Sequence, residues 1–183
     1  MGKEDVLDIV DKNGKIIGQA PRLEVHQKGL LHREVHVWLY TPQGELIWQV
    51  RSPTKETFPG KLDASIGGHV DPGMDYLDSA IKEAEEEAGL KIKPKDLKHV
   101  TDIQISAFDP STELTNNTIR RIYVLRYGGR VEDLKIEEGE ATGFEAWPVA
   151  KLEKLSASEK GRFIPSLLNS ECLTVYHRIE KLV

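Results

Sequence analysis

Gly67 to Leu90 reads GGHVDPGMDYLDSAIKEAEEEAGL, and the rest of the chain is read outward from it. Paired glycines and an Asp71-Pro72-Gly73 turn allow a sharp bend. Asp75 is a helix N-cap, and Asp78 follows at a spacing like that of a capping box. The helix is predicted to run to Ala88 and stop at Gly89, a residue suited to the left-handed position after a helix. Leu77, Ala80, Ile81, Ala84 and Ala88 recur at steps of three and four and form one narrow apolar face.

Glu83, Glu86 and Glu87 obey the same rule on another face, while Glu85 points away beside Lys82 and Asp78. Three carboxylates on one side repel, by about 3 kcal/mol per pair at ~5 Å and an effective dielectric of ~20. A hard divalent cation with oxygen ligands, such as Mg2+, turns that repulsion into a binding site. A solvated acidic helix face is the alternative, and for an acidic run taken by itself it is the better reading.

The stretch resembles the Nudix box: Gly, five residues, Glu, seven residues, then Arg-Glu-aliphatic-any-Glu-Glu-any-Gly-aliphatic. Gly68, Glu83, Ala84, Glu86, Glu87, Gly89 and Leu90 fall on matching positions. Met74 stands where the first Glu is expected, and Lys82 where Arg is expected. The resemblance implies an α/β/α sandwich with a mixed sheet. It also implies hydrolysis of a nucleoside diphosphate linked to another group, by water attack at phosphorus. Glu86 and Glu87 would hold Mg2+ (or Mn2+), the Gly68 carbonyl would complete the shell, and Glu83 would be a ligand or general base.

The bulk properties fit one soluble globular domain, with 183 residues, 39% hydrophobic and 30% charged. No apolar run approaches the ~18–20 residues of a membrane span. The N-terminus lacks a signal-peptide core. Cys172 is the only cysteine, which excludes an intrachain disulfide and fits a cytoplasmic setting. A formal charge of −5 gives no general attraction to nucleic acid.

Along the chain, residues 5–20 read as a hairpin about Asn13-Gly14, and 22–28 as a short helix or turn. REVHVWLYT and LIWQVRS form a second hairpin, and 51–65 an irregular polar loop. Strands are predicted over 97–108, 119–127 and 141–149, with a polar loop DPSTELTNNT before the second and an acidic loop at Glu137–Glu140. The pattern after Pro148 is helical. The division is therefore an N-terminal hairpin extension (1–30), a core (31–155) and a C-terminal helical tail (156–183). The hairpin edge suggests a homodimer.

The stretch LLHREVHVWLYTPQGELIWQVRSPTKETFPGKLDASIGGHV is similar to the Nudix subgroup containing type I isopentenyl-diphosphate isomerase and its hydrolase-like bacterial relatives. His26, His32 and His69 lie near the isomerase's metal-histidine positions. Gly67, however, occupies the place of its catalytic cysteine, and NNTIRR replaces its glutamate pair. Isomerase activity is not expected, and His32 and His69 are read as structural hydrogen-bonding residues.

The departures Met74 and Lys82 suggest that an Asp78–Lys82 pair replaces the usual clamp between loop and helix. They also leave room for a weakened nucleotide-binding or regulatory module. Arg51, Lys55 and Arg121 are the candidates for substrate phosphate; alternation lets only one of Arg120 and Arg121 face the site. An exposed acidic turn is preferred for Glu137–Glu140, and Trp38, Trp48 and Tyr123 are read as core before base-stacking platforms.

Overall fold

The computed structural model describes residues 5–55 and 57–182, and within them nine strands form one mixed sheet. These are β1 (Val6–Val10), β2 (Ile16–Pro21), β3 (His32–Tyr40), β4 (Glu45–Arg51), β5 (Leu62–Asp63), β6 (Ile66–His69), β7 (Lys98–Asp109), β8 (Leu114–Arg126) and β9 (Ala141–Pro148). The helices are α1 (Arg22–Lys28), α2 (Tyr76–Ala88), α3 (Val149–Leu152), α4 (Ala157–Lys160) and α5 (Ser170–Glu180).

Strand β3 is the hub. Seven of its nine residues are buried, as expected of a strand covered on both faces. It pairs in parallel with β8 along its whole length and antiparallel with β6 from Glu34 to Val37. Further pairings with β1 and β4 complete its contacts. The register sets Gly68 opposite Val35 and Gly67 opposite His36, so the glycine pair enters the sheet just before the box loop.

Alternation along β3 and β8 divides the core in two. On one side Ala80, Ala84 and Ala88 of α2 pack on Val35, Val37, Leu39 and Ile66. Small side chains let this helix approach the sheet closely. On the other side Trp38, Trp48, Phe163 and Tyr176 meet edge to face, with Trp38 and Trp48 centroids 4.7 Å apart. Both tryptophans and Tyr123 are buried, so they are core and no base stacks on them. Residues of the C-terminal segment complete this second side: Leu62 N–H donates to Arg162 O at 2.7 Å, and Ile164 N–H to Leu62 O at 3.1 Å.

The expected loop before Ile119 is shorter than its polar sequence suggests. Strand β8 begins at Leu114, and Leu114 to Thr118 pair with Asp109 to Ile105 of β7. Polar groups of this segment bond inside the sheet, Asn117 Nδ2 donating to Gly29 O at 3.0 Å and Thr118 Oγ1 to Glu34. Among the described residues no helix is long and apolar enough to cross a membrane.

Candidate active site

Helix α2 begins where its cap requires: the Asp75 carboxylate accepts from Leu77 N–H and Asp78 N–H at 2.8 and 2.9 Å. It ends at Gly89, whose φ of +69° is a conformation glycine adopts without strain. Between these ends Glu87 is buried, Glu83 nearly so and Glu86 half-exposed. Gly68 is fixed by the approach of Glu83, because a Cβ at 68 would stand 2.5 Å from Glu83 Cδ.

Glu87 Oε2 accepts from Gln49 Nε2 at 2.9 Å and from Gly67 N–H at 3.3 Å. Neither donor is a cation. Burial, reinforced by the neighbouring Glu83 charge, pushes the Glu87 carboxyl well above the ordinary glutamate range. Burial also raises Glu83, partly offset by Lys82. Two adjoining, desolvated oxygen-donor groups with too little positive charge between them suit a hard divalent cation. Glu83, Glu86 and Glu87 could hold one.

Lys82 is placed differently from the expectation. Its ammonium lies 3.3 Å from Asp71, 3.2 Å from Glu83 and 3.2 Å from Glu86, and among the described residues it makes no ion pair with Asp78. Asp78 therefore does not replace the clamp; three acidic groups on the cleft side outcompete one on the outer side. The box loop is instead held from outside the motif. Arg33 Nη1 donates to Met74 O at 3.2 Å, while Nη2 bonds the buried Asp8 of β1 at 2.7 Å.

The helix face lines a cleft of about 360 Å³ between the box and the sheet. Arg51 and Lys55 both reach it, Arg51 held by Asp63 at 2.8 Å and by Thr57 O, and Lys55 paired with Glu140. Glu137 and Glu140 line it as well, so these two are not simply an exposed turn. Among the described residues ten carboxylates face five lysine and arginine side chains around this cleft. Such a wall repels phosphate until divalent charge is supplied.

Arg121 does not belong to the cleft. It pairs with Asp102 at 2.6 Å and lies over the Tyr76 ring, its Cζ 4.4 Å from the centroid. The cleft residue is Arg120, paired with Glu34 at 2.7 Å. Alternation shows that only one can face inward, but apolar residues follow both parities of this strand and leave the choice open. Glu34, His36, Gln49, Arg33 and Asn116 also escaped the sequence reading. They lie on strands outside the motif and reach it through sheet pairings, Arg33, Glu34 and His36 on β3, Gln49 on β4 opposite Asp63, and Asn116 on β8.

His26, His32 and His69 converge beside the cleft, with ring centroids 5.0–5.3 Å apart and His26 Nε2 3.3 Å from His69 Nε2. Burial lowers all three, His26 to about 4, so they are neutral imidazoles at pH 7. Their facing nitrogens, within 4.8 Å of one another, could take a metal ion. His32 Nδ1 bonds Leu30 O at 2.9 Å, the hydrogen-bonding role expected of it. At Gly67, the place of the isomerase cysteine, a Cβ would meet His36 Cδ2 at 3.0 Å.

A family model described as NUDIX domain matches residues 30–167. The chain is 30% identical over 173 residues to an uncharacterized Nudix hydrolase of Clostridium acetobutylicum, covering 91% of this chain and 77% of that protein. It is 42% identical over 92 residues to one of Streptomyces coelicolor, where the match spans 50% of this chain and only 51% of the relative. The crystal structure of a Deinococcus radiodurans protein superposes with a TM-score of 0.71 at 25% identity, covering 94% of this chain and 98% of that one. The NUDIX domain of Shewanella oneidensis NrtR, crystallised with ADP ribose, shares the fold at a TM-score of 0.57 and 12% identity, over 90% of this chain and 100% of that one.

Proposed function

The chain belongs to the Nudix hydrolase family, and on that premise we propose a Mg2+-dependent pyrophosphohydrolase, with Mn2+ as a substitute. Its substrate is a small nucleoside diphosphate linked to another group, or a related diphosphate. The observation that carries this reading is the Glu83–Glu87 pair, two desolvated carboxylates at the cleft wall whose pKa values both lie above the ordinary range.

The residues divide the work. Glu86 and Glu87 would hold the metal, with Gly68 beside them, and the ion would supply positive charge to the diphosphate oxygens. Glu83 orients the attacking water and takes its proton as the new P–O bond forms and the anhydride P–O bond breaks. Arg51 and Lys55, steadied by Asp63 and Glu140, meet the phosphate from the opposite wall. Asp75 and Gly89 fix the two ends of the helix that carries the glutamates.

A second reading has its own observation. The Lys82 ammonium already touches Glu83 and Glu86, which favours a nucleotide-binding or regulatory module with weakened chemistry. Phosphate release separates the two. The panel contains nucleoside di- and triphosphates, sugar nucleotides, dinucleotide polyphosphates and ADP-ribose, each with Mg2+ and Mn2+. Turnover lost in Glu83→Gln establishes the hydrolase. Absence of turnover, with ligand binding unchanged in Glu83→Gln, establishes the module. The exposed Ile16 and Ile17 on β2 support pairing with a second copy, which light scattering reads directly.

A further inference from the structure

Four carboxylates are buried among the described residues, those of Asp8, Glu34, Glu87 and Asp109. Three of them accept hydrogen bonds on both oxygens. Asp8 accepts from Gln19 on Oδ1 and from Arg33 on Oδ2. Glu34 accepts from Asn116 on Oε1, and from Thr118 and Arg120 on Oε2. Asp109 accepts from Ser111 on Oδ1 and from Phe58 N–H on Oδ2. Glu87 is the exception. Both of its donors, Gln49 Nε2 at 2.9 Å and Gly67 N–H at 3.3 Å, fall on Oε2. Oε1 accepts from no donor among the described residues, yet it is not one of the buried atoms closed off without a partner. Glu87 lines the cleft, so Oε1 is the oxygen that the cleft can use.

Gln49 creates this asymmetry. It is buried and shares its side of β4 with Ile47, a residue of the core beneath α2. An amide at such a position is costly unless it is bonded, and its nitrogen is bonded to Glu87. The Gly67 donor is main chain and would be present with any residue at 49. Gln49 is therefore the side chain that decides how Oε2 is held. A carboxylate oxygen offers about two acceptor positions, so two N–H donors fill Oε2 and leave Oε1 whole. Glu87 can then give a cation one oxygen and not two.

We propose that Gln49 is a positioning residue that limits Glu87 to a single coordinating oxygen, and that this makes the site select Mg2+ against Ca2+. The inference rests on the reading of the box glutamates as a metal site. Mg2+ is small, demands near-ideal octahedral geometry at ~2.0–2.1 Å and takes few carboxylates. Ca2+ is larger, accepts about 6–8 oxygens at ~2.3–2.6 Å and readily takes both oxygens of one carboxylate. A Glu87 held by Oε2 withholds that extra ligand from Ca2+ and costs Mg2+ nothing. A glutamine kept only to satisfy a buried carboxylate would have no bearing on which ion binds.

The test uses Mn2+ as the probe, its free concentration read by electron paramagnetic resonance while Mg2+ or Ca2+ competes for the protein. The proteins are the wild type, Gln49→Met, Gln49→Asn and Glu87→Gln, each melted in chelator alongside. Methionine keeps the volume without a donor, and asparagine keeps an amide one methylene too short to reach Glu87. Both variants are expected to raise the affinity for Ca2+ relative to Mg2+ by about tenfold, the low end of what a lost bond to a metal ligand does to metal affinity. Glu87→Gln is expected to lose Mn2+, which assigns the uptake to this site. A role confined to packing weakens both ions alike, so an unchanged ratio in a folded variant overturns the proposal. A wild type that takes up no Mn2+, shows no preference for Mg2+ over Ca2+, or binds as well as Glu87→Gln overturns it too. Should Gln49→Met fail to fold, Gln49→Asn decides alone. None of these measurements reads turnover. A shifted ratio in a protein that hydrolyses nothing keeps the ion-selecting site and removes the hydrolase, and hydrolysis with an unchanged ratio does the reverse.

Discussion

Arg33 reaches across 41 residues of sequence to donate from Nη1 to the main-chain carbonyl of Met74. Its Nη2 bonds Asp8, which also accepts from Gln19 Nε2 at 2.8 Å. The N-terminal hairpin is thereby tied to the loop that introduces the acidic helix. The arginine comes from β3 and its acceptor is backbone, so this contact does not depend on the side chain at 74.

Replacing Arg33 by Met is expected to destabilise the protein by about 3–5 kcal/mol, since Asp8 is left buried with only an amide partner. Turnover of the folded fraction should fall as the loop loosens. Met74→Ala is expected to stay within about 0.5 kcal/mol, the scale of a substitution away from such features. Urea melts and single-substrate kinetics on both variants check the contrast. A larger effect at Met74 than at Arg33 would show that side-chain packing, and not the carbonyl bond, holds the loop.

Lys82 competes for the same carboxylates that a cation needs. Its contacts are partly exposed, so each is worth about 0.2–1 kcal/mol. Lys82→Met is therefore expected to tighten Mg2+ binding by about 2- to 10-fold, measured by calorimetric titration of the metal. Weaker binding in the variant would mean that the ammonium orders the glutamates and does not oppose the ion.

The box helix was legible almost to the residue because every signal for it is local. Asp75 caps it, alanines give it a face and Gly89 ends it. The first hairpin and α1 were legible for the same reason. The far wall of the cleft was not, because it depends on register. Nothing local to TNNTIRR tells Arg120 from Arg121, or shows that Asn116 and Thr118 will bond a glutamate more than 80 residues earlier. The pairing of Lys82 follows only in part from helical spacing, which supplies Glu86 one turn on, because Asp71 reaches it from the loop.

Glu87 makes the metal-free protein sensitive to pH. Its folded pKa lies above the ordinary value of 4.5, as does that of Glu83. Their contribution to stability is thus full below pH 4.5 and is lost as pH rises through the folded values, where burial resists ionisation. The histidine cluster runs the other way: its lowered pKa values contribute stability above 6.5 that is lost at more acid pH. Subtracting wild-type from Glu87→Gln melts isolates the glutamate. The variant is expected to gain stability relative to wild type as pH rises from 5 to 8 in chelator, because Gln can still accept from Gln49 and Gly67. Turnover should fall by roughly 100-fold or more, beyond the 10–100-fold usual for a group that merely supports a metal ligand. A difference between the two melts that is flat with pH would mean that Glu87 is not held protonated by its surroundings.

Gly68→Ala probes the spacing between helix and strand most directly. The new Cβ would stand 2.5 Å from Glu83 Cδ and 2.8 Å from both carboxylate oxygens, so one of them must move. Glu83 is the tip of a flexible side chain and yields more readily than a strand paired with β3. The fold should therefore lose only about 1–3 kcal/mol, the usual penalty for overpacking, while Glu83 is driven away from Glu87. A displacement near 1 Å at a catalytic group lowers turnover by about 100-fold, and that is the expected loss in kcat. Gly67→Ala is the control, because its Cβ would meet His36 and not a box glutamate. It should leave the position of Glu83 intact and reduce turnover far less. Comparable losses in kcat from the two substitutions would mean that strand geometry, and not room for Glu83, is what glycine supplies at position 68.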